Sequence, residues 1–192
     1  MKEISKGQWI SQDQWDKYIH HFSPIEFSED PLKYSDFQTI KNLESFRSSI
    51  SRRIFPSPAS GALARFSGSK RSQHYVGSDM GGDIRGEVDT NTSKKSQAVD
   101  VFIEGNALIN WSFVLACQLF KGVGIYLDTE YHYRPWPMFH LDTREKGYIS
   151  GALIWVRYRE EYYYPQLNDS DRIAVRGIFR SCILLKENIF KR

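Results

Sequence analysis

The sequence contains only two cysteines among its 192 residues, Cys117 and Cys182. Each lies inside an apolar stretch, and neither belongs to a Cys-x-x-Cys pair. A zinc site built from thiolates is therefore excluded, and the fold does not require a disulfide. We expect both cysteines to be reduced residues of the core.

Long apolar runs and long basic runs are also missing. No window approaches the roughly 18 to 20 apolar residues of a membrane span, and the N-terminus has no apolar core of signal-peptide length. We therefore predict no membrane span, and synthesis in the cytoplasm without a signal peptide. The 26 basic and 23 acidic side chains are spread along the chain, so no nucleic-acid-binding stripe is expected.

The residues that are present predict a folded α+β protein. The hydrophobic share of 41% is that of a globular domain, and the length suits one well-packed core. Hydrophobic periodicity and capping residues predict helices over 35–50, with a Ser35–Gln38 capping box, and over 106–121, with Asn106 as N-cap. Runs rich in β-branched and aromatic residues predict strands at 98–103, 124–128 and 138–142.

Two further segments have a different character. Residues 78–97 are rich in Gly, Ser, Asp and Lys and lack apolar periodicity, which predicts a surface loop. The C-terminal part has an apolar, tyrosine-rich stretch at 149–164, and then a helix with one apolar stripe. The stripe consists of Val175, Ile178, Cys182, Leu185 and Ile189. We expect this tail to pack on the domain or on a partner.

Two polar residues interrupt the predicted strands. Asp100 lies in the middle of AVDVFI, and His140 lies within MFHLD. Burying an unpaired charge is costly, so Asp100 needs a cation or strong hydrogen-bond donors beside it. Asp142 has the same strand parity as His140, and its side chain therefore faces the same side. The pattern predicts that these polar groups converge.

These residues occur in an order that resembles a known family, the zinc D-Ala-D-Ala metallopeptidases, which include phage endolysins and share a zinc fold with hedgehog domains. The family hallmark Ser-x-His-x-x-Gly-x-Ala-x-Asp and a later closing strand with His are matched here by Ser72, His74, Gly77, Ala98, Asp100, His140, Leu141, Asp142 and Arg144. Upstream, residues 22–28, residues 43–47 and the Arg65 region are similar to the family's opening helix and substrate-side arginine. The resemblance covers roughly residues 20–145.

The resemblance implies a Zn²⁺ site with His74, Asp100 and His140 as ligands. Two imidazoles and one carboxylate leave a fourth position open, as in catalytic zinc sites. The implied fold is a small antiparallel sheet flanked by helices, with the zinc on the sheet. The implied organisation is an N-terminal extension 1–21, a zinc peptidase-like domain 22–145 with residues 78–97 inserted, and a C-terminal extension 146–192.

The insertion leaves the acidic ligand open to alternatives. Twenty residues, 78–97, separate Gly77 from Ala98, whereas the family motif is continuous. The inserted acidic residues could replace Asp100 as the ligand, and they are Asp79, Asp83, Glu87 and Asp89. Asp100 is preferred because its sequence context is the one that resembles the family.

The catalytic residues are less sharply defined than the ligands. In other branches of the family a Glu shortly precedes the last His, but Pro137 lies three residues before His140. The candidate bases are Asp142, Glu130, Asp128 and His132. Asp142 is preferred because of its place beside His140, although it could instead orient a ligand. Arg65 resembles the arginine that binds a substrate carbonyl or carboxylate.

The sequence therefore favours a zinc metallopeptidase that hydrolyses a peptide bond in the stem peptide or crossbridge of bacterial peptidoglycan. Such an enzyme would be phage or prophage encoded and would act on the cell wall, in the host periplasm or from the phage particle. One alternative is a non-catalytic binding or virion-structural module that retains the peptidase fold. A second alternative is an unrelated α+β protein whose motif match is fortuitous.

Overall fold

The computed structural model of the protein describes residues 10–66, 72–76, 95–134, 136–143 and 151–184. The described helices are α1 Gln12–Tyr18, α2 Pro31–Tyr34, α3 Phe37–Ile50, α4 Ala107–Ala116 and α5 Asp169–Leu184, with a 3-10 turn at Pro24–Glu26. None of these helices is long and apolar enough to span a bilayer.

The two helices predicted in the middle of the chain are present, with corrected ends. The α3 helix begins after Asp36, whose carboxylate accepts the Gln38 N–H at 3.1 Å, so the predicted Ser35 capping box is wrong. Asp36 follows Ser35 directly and takes the N-cap position. Asn106 caps α4 as predicted, but the helix ends at Ala116 rather than near residue 121, and Gln118 has a left-handed φ of 54°.

The described strands are β1 Ile54–Pro56, β2 Ala98–Ile103, β3 Gly122–Tyr126, β4 Met138–Asp142, β5 Leu153–Tyr158 and β6 Glu161–Tyr163. They form one six-stranded sheet in the order β1-β2-β4-β3-β5-β6. The predicted strands at 98–103 and 138–142 are confirmed, and the strand predicted at 124–128 is shifted two residues toward the N-terminus.

The sheet is mixed, so the prediction of a small antiparallel sheet is wrong. The α+β class is confirmed, but β5 pairs with β3 in parallel while the other described pairs are antiparallel. β5 is the strand that follows β4 in the sequence, but it lies on the far side of β3 and runs parallel to that strand. The tyrosine-rich stretch thus supplies two strands of the same sheet.

Strand alternation divides the sheet into an apolar face and a polar face. The apolar face includes Val99 and Val101 of β2, Ile125 of β3 and Phe139 and Leu141 of β4, each at most 1% exposed. These side chains belong to one buried cluster with residues of α3, of α4 and of the N-terminal segment. Each Å² of apolar surface that is buried contributes about 25 cal/mol, so this cluster is the main source of the fold's stability.

Both terminal segments contribute to that cluster. Trp15 and Ile19 from the N-terminal segment are buried in it, and Val175 and Ile178 of α5 pack against it. Cys182 is also buried, whereas Leu185 and Ile189 of the predicted stripe lie outside the described residues. The division into 1–21, 22–145 and 146–192 stays a prediction, but the core extends across both boundaries.

Candidate metal centre

The polar face of the sheet carries a row of four residues in register. Asp100 of β2 is paired with His140 of β4, His140 with Gly124 of β3, and Gly124 with Trp155 of β5. Because side chains alternate along each strand, the members of such a row project to the same side. Asp100 and His140 are therefore adjacent, as the sequence predicted.

His74 reaches this row from a short segment outside the sheet. The Arg65 N–H donates to the His74 carbonyl at 2.7 Å, and the Val76 N–H donates to the Arg65 carbonyl at 2.9 Å. The Asp100 N–H donates to the carbonyl of Ala62 at 3.0 Å, which fixes the turn before Arg65 to β2. These backbone bonds bring residues far apart in the chain to one point.

Three side-chain atoms meet at that point. His140 Nδ1 lies 2.9 Å from Asp100 Oδ1 and 3.1 Å from His74 Nε2, and His74 Nε2 lies 3.3 Å from Asp100 Oδ1. In a tetrahedral zinc site with metal–ligand distances of about 2.0 to 2.2 Å, neighbouring ligand atoms are about 3.3 to 3.6 Å apart. The observed triangle is within a few tenths of an ångström of that size, and the group could bind a metal ion.

In each imidazole, the nitrogen that does not belong to the triangle has a hydrogen-bond partner of its own. His74 Nδ1 lies 3.3 Å from the Leu63 carbonyl, which can only accept, so Nδ1 carries a proton, and in the neutral imidazole Nε2 keeps its lone pair. His140 Nε2 lies 3.3 Å from Asp142 Oδ2, which favours a proton on Nε2 and a lone pair on Nδ1. Metal-binding histidines are typically oriented by such carbonyl and carboxylate partners.

The three groups are buried and favour a positive charge between them. Their residues are 2% to 4% exposed. Burial disfavours the Asp100 anion, but the positive charge of His74 in its protonated form and the hydrogen bonds with both histidines outweigh it, and the pKa of Asp100 is held well below 3.8. Burial also disfavours the His140 cation, yet hydrogen bonds with Asp100 and Asp142 raise the pKa of His140 above 6.5. A shared proton or a metal ion satisfies this arrangement.

The cluster lies in a cleft of about 420 Å³. Arg65, the predicted substrate-side arginine, lines this cleft, and its Nε donates to the Gly61 carbonyl at 3.0 Å. A ligand that enters the cleft therefore meets the three buried groups and this guanidinium together. The arrangement can bind a ligand that presents an anionic or carbonyl oxygen.

The predicted bases are not in the cleft. Asp142 is completely buried and contacts His140, which fits the orienting role rather than that of a base. Glu130 and His132 are exposed and do not line the cleft, and Asp128 accepts the Glu160 N–H at 2.9 Å. Among the residues that the structure describes, Asp100 is the only carboxylate in the cleft lining.

One wall of the cleft was not predicted as part of the site. It is formed by Tyr126, Trp155, Arg157, Tyr162 and Tyr164, from the strands and the C-terminal stretch. The rings of Trp155 and His140 lie 5.0 Å apart. Trp155 and Arg157 have the same strand parity in β5, and this could have indicated the wall if the position of β5 in the sheet had been known.

Tyr126 and Gly124 have distinct roles in this wall. A Cβ atom on Gly124 would lie 2.3 Å from the Trp155 indole, so only glycine lets the indole cover β3. Burial and the nearby Asp100 charge raise the pKa of the Tyr126 hydroxyl far above 10. This hydroxyl is thus protonated at neutral pH and is a hydrogen-bond donor.

The alternative acidic ligands fall outside this description. Asp79, Asp83, Glu87 and Asp89 lie outside the described residues, as does Arg144 of the closing motif. Asp100 is the carboxylate that lies with both histidines in the described structure.

The triangle of side-chain atoms and the order of the motif residues are the two observations that support a metal site here. The resemblance to zinc D-Ala-D-Ala metallopeptidases stays a prediction from the sequence. Comparison with protein-family models, with curated proteins and with solved structures found no match for this chain.

Proposed function

We propose that the protein is a zinc-dependent hydrolase, and more specifically a peptidase that cuts a peptide bond of bacterial peptidoglycan. The observation that carries the proposal is the triangle of His74 Nε2, Asp100 Oδ1 and His140 Nδ1 in a cleft. Two imidazoles and one carboxylate are a donor set that zinc accepts, and three protein ligands leave a fourth position for chemistry. The donor set therefore fits the group that the family resemblance implies.

The chain's own residues provide the remaining parts of a hydrolytic site. When bound, a zinc ion supplies the Lewis acidity that suits hydrolysis of an amide. Leu63 and Asp142 hold the two imidazoles in orientation. Arg65 can bind a substrate carbonyl or carboxylate, and the protonated Tyr126 hydroxyl can donate to a substrate oxygen.

The choice of peptidoglycan rests on the resemblance of the ordered motif to wall-lytic peptidases. A peptide substrate is consistent with the cleft lining, which combines aromatic rings with two arginines, Arg65 and Arg157. On this proposal the stem peptide or crossbridge is the partner, and the cell wall is the site of action.

The first test is the metal content of the purified protein after dialysis against a weak chelator. We expect about one zinc per chain in the parent, and none in folded His74→Ala and His140→Ala variants, since each loses one of three ligands. His132→Ala is the matched control, because this imidazole is exposed and outside the cleft, and its zinc content should equal that of the parent. A parent that takes up no zinc, even when zinc is supplied, contradicts the metal site.

The second test is hydrolysis of purified cell-wall preparations, followed by the release of amino groups. The parent and His132→Ala should release peptide amines, and folded His140→Ala should not. Equal hydrolysis by His140→Ala would rule out the assigned active site.

A specific observation favours a second candidate, a non-catalytic binding or virion-structural module. Besides the ligand Asp100, no carboxylate among the described residues lines the cleft, so a general base of that type is missing there. Zinc bound by both histidines, with no cleavage of any wall preparation but retention of the protein on the wall, would support this module over the enzyme.

A further inference from the structure

A glutamate outside the predicted site accepts three backbone hydrogen bonds from one turn. Glu29, which lies just before α2, accepts the N–H of Gly61 at 2.6 Å, of Leu63 at 3.0 Å and of Ala64 at 2.9 Å. The Ser28 hydroxyl donates to the same carboxylate at 2.6 Å. Both carboxylate oxygens are thus used, and the side chain is partly buried.

The turn that Glu29 binds also holds two of the three candidate ligands. The carbonyl of Leu63 lies 3.3 Å from His74 Nδ1, and the carbonyl of Ala62 accepts the Asp100 N–H at 3.0 Å. A shift of this turn therefore moves His74 and alters the backbone support of Asp100. No other described side chain contacts the turn through as many of its N–H groups.

The local backbone explains why this turn needs an anion. Gly61 has a left-handed φ of 82°, and a Cβ there would lie 2.9 Å from Arg65 Cγ. The N–H groups of Ala62 and Arg65 donate to the carbonyls of Ala59 and His74, whereas those of Gly61, Leu63 and Ala64 lie outside any helix or strand ladder. N–H groups that converge in this way form a concave site for a negative charge. The Glu29 carboxylate fills that site.

We propose that Glu29 is a positioning residue that sets the zinc affinity of the centre through the 61–65 turn. The proposal rests on the proposed zinc function and deepens it. The carboxylate fixes the Leu63 carbonyl, which in turn fixes the tautomer and the ring orientation of His74. A neutral amide at residue 29 has only one acceptor oxygen and would direct its NH₂ group toward N–H donors.

The test compares Glu29→Gln with Glu26→Gln, a matched control. Glu26 lies in the same segment and also accepts a backbone N–H, that of Ser23 at 2.6 Å, but does not contact the 61–65 turn. Zinc affinity is measured by chelator competition, and ligand geometry by the visible absorption of the Co²⁺-substituted protein. We expect about tenfold weaker zinc binding and a changed Co²⁺ spectrum in Glu29→Gln, as for loss of an orienting partner of a metal ligand. Glu26→Gln should match the parent in both measurements.

A second variant covers the case in which Glu29→Gln does not fold. Glu29→Asp keeps the charge but shortens the reach, so folded Glu29→Asp should also bind zinc more weakly than the parent. Parental affinity and an unchanged Co²⁺ spectrum in either folded variant overturn the proposal. Failure of both variants to fold also overturns it, since Glu29 would then serve the fold rather than the ligands.

The same experiment separates this inference from the proposed function. If the parent binds no zinc, the proposed zinc function itself fails. If the parent binds zinc and folded Glu29→Gln binds it equally well, only the positioning role of Glu29 fails.

Discussion

Asp142 is a buried carboxylate that can influence a bound metal through the neighbouring His140 imidazole. Its Oδ2 lies 3.3 Å from His140 Nε2, on the side of the ring opposite the triangle, and the residue is completely buried. A buried negative charge at this position orients the ring and makes Nδ1 a stronger donor of electron density to a metal. We therefore expect the residue to affect metal affinity without entering the cleft.

We predict that Asp142→Asn weakens zinc binding about 10-fold to 100-fold, the usual cost of removing such a partner. The amide oxygen can still accept from His140 Nε2, but it lacks the charge that stabilises the ligand. Chelator competition measures the affinity, and circular dichroism checks that the metal-free variant is folded.

Asp128→Asn is the control for this prediction. Asp128 is an exposed carboxylate that accepts the Glu160 N–H at 2.9 Å and lies outside the cluster. Its zinc affinity should stay that of the parent. Equal affinities for folded Asp142→Asn and Asp128→Asn would show that Asp142 has no orienting role.

At this scale the sequence predicted the cluster of His74, Asp100 and His140 better than its surroundings. Asp100 and His140 stand out because each is polar within an otherwise apolar strand, and a buried polar group requires a partner. Glu29 carries no such signal, because a glutamate in a polar loop is unremarkable until the 61–65 turn is folded against it. Nothing in the local sequence around Glu130 could show that it lies outside the cleft.

At the scale of the elements, β3 and β5 are joined by more than backbone pairing. Trp155 of β5 covers Gly124 of β3, and its ring contacts His140 on the next strand. The indole can occupy this position only because residue 124 has no side chain. Packing between the two strands thus also shapes the cleft.

We predict that Gly124→Ala destabilises the protein by about 1 to 3 kcal/mol, the usual cost of overpacking. The new Cβ would lie 2.3 Å from the Trp155 ring, which belongs to a paired strand and must tilt away. Urea unfolding of parent and variant measures the change in the free energy of unfolding.

A second glycine provides a control, because its replacement should change the free energy of unfolding in the opposite direction. Gly177 lies inside α5, and a Cβ there would meet nothing within 4 Å. Gly177→Ala should stabilise the protein by about 0.5 to 1 kcal/mol, since alanine is the better helix former. If Gly124→Ala were as stable as Gly177→Ala, the tight contact between Gly124 and Trp155 would be refuted.

Most helices and strands could be predicted from the sequence, whereas the pairing of the strands in the sheet could not. Runs rich in β-branched and aromatic residues indicate both strands, and strand parity then separates Asp100 and His140 from the apolar face. Asn106 was a correct N-cap, but at α3 the choice between adjacent Ser35 and Asp36 depended on the local backbone. Alternation contains no information on which strand lies beside which, so the parallel β3–β5 pair could not be inferred.

At the scale of the whole molecule, the candidate centre depends on distant parts of the chain. His74 and His140 are 66 residues apart, and Asp100 and His140 are 40 apart. Closing such loops costs conformational entropy, so the triangle forms only when the sheet and the turns around it are folded. A metal ion bound at this triangle would therefore be coupled to folding.

The sequence predicted residues 146–192 as an extension, but the described part of this region belongs to the fold that surrounds the candidate centre. Its strand β5 pairs with β3, its Trp155 covers Gly124, and Val156 is 1% exposed within the core. Removing the region would expose the hydrogen-bonding edge of β3 and the apolar surface beneath it. Exposed strand edges of this kind promote aggregation.

We predict that a chain ending at residue 145 does not fold on its own. The fragment retains His74, Asp100 and His140 but loses the strand that covers β3 and one wall of the cleft. Size-exclusion chromatography and far-UV circular dichroism should show aggregated or unfolded material, and chelator competition should detect no parent-like zinc affinity. The full chain purified in parallel is the control. A folded, monomeric fragment with the parent's zinc affinity would instead make 146–192 a dispensable extension, and the 22–145 unit would then be the complete metal-binding domain.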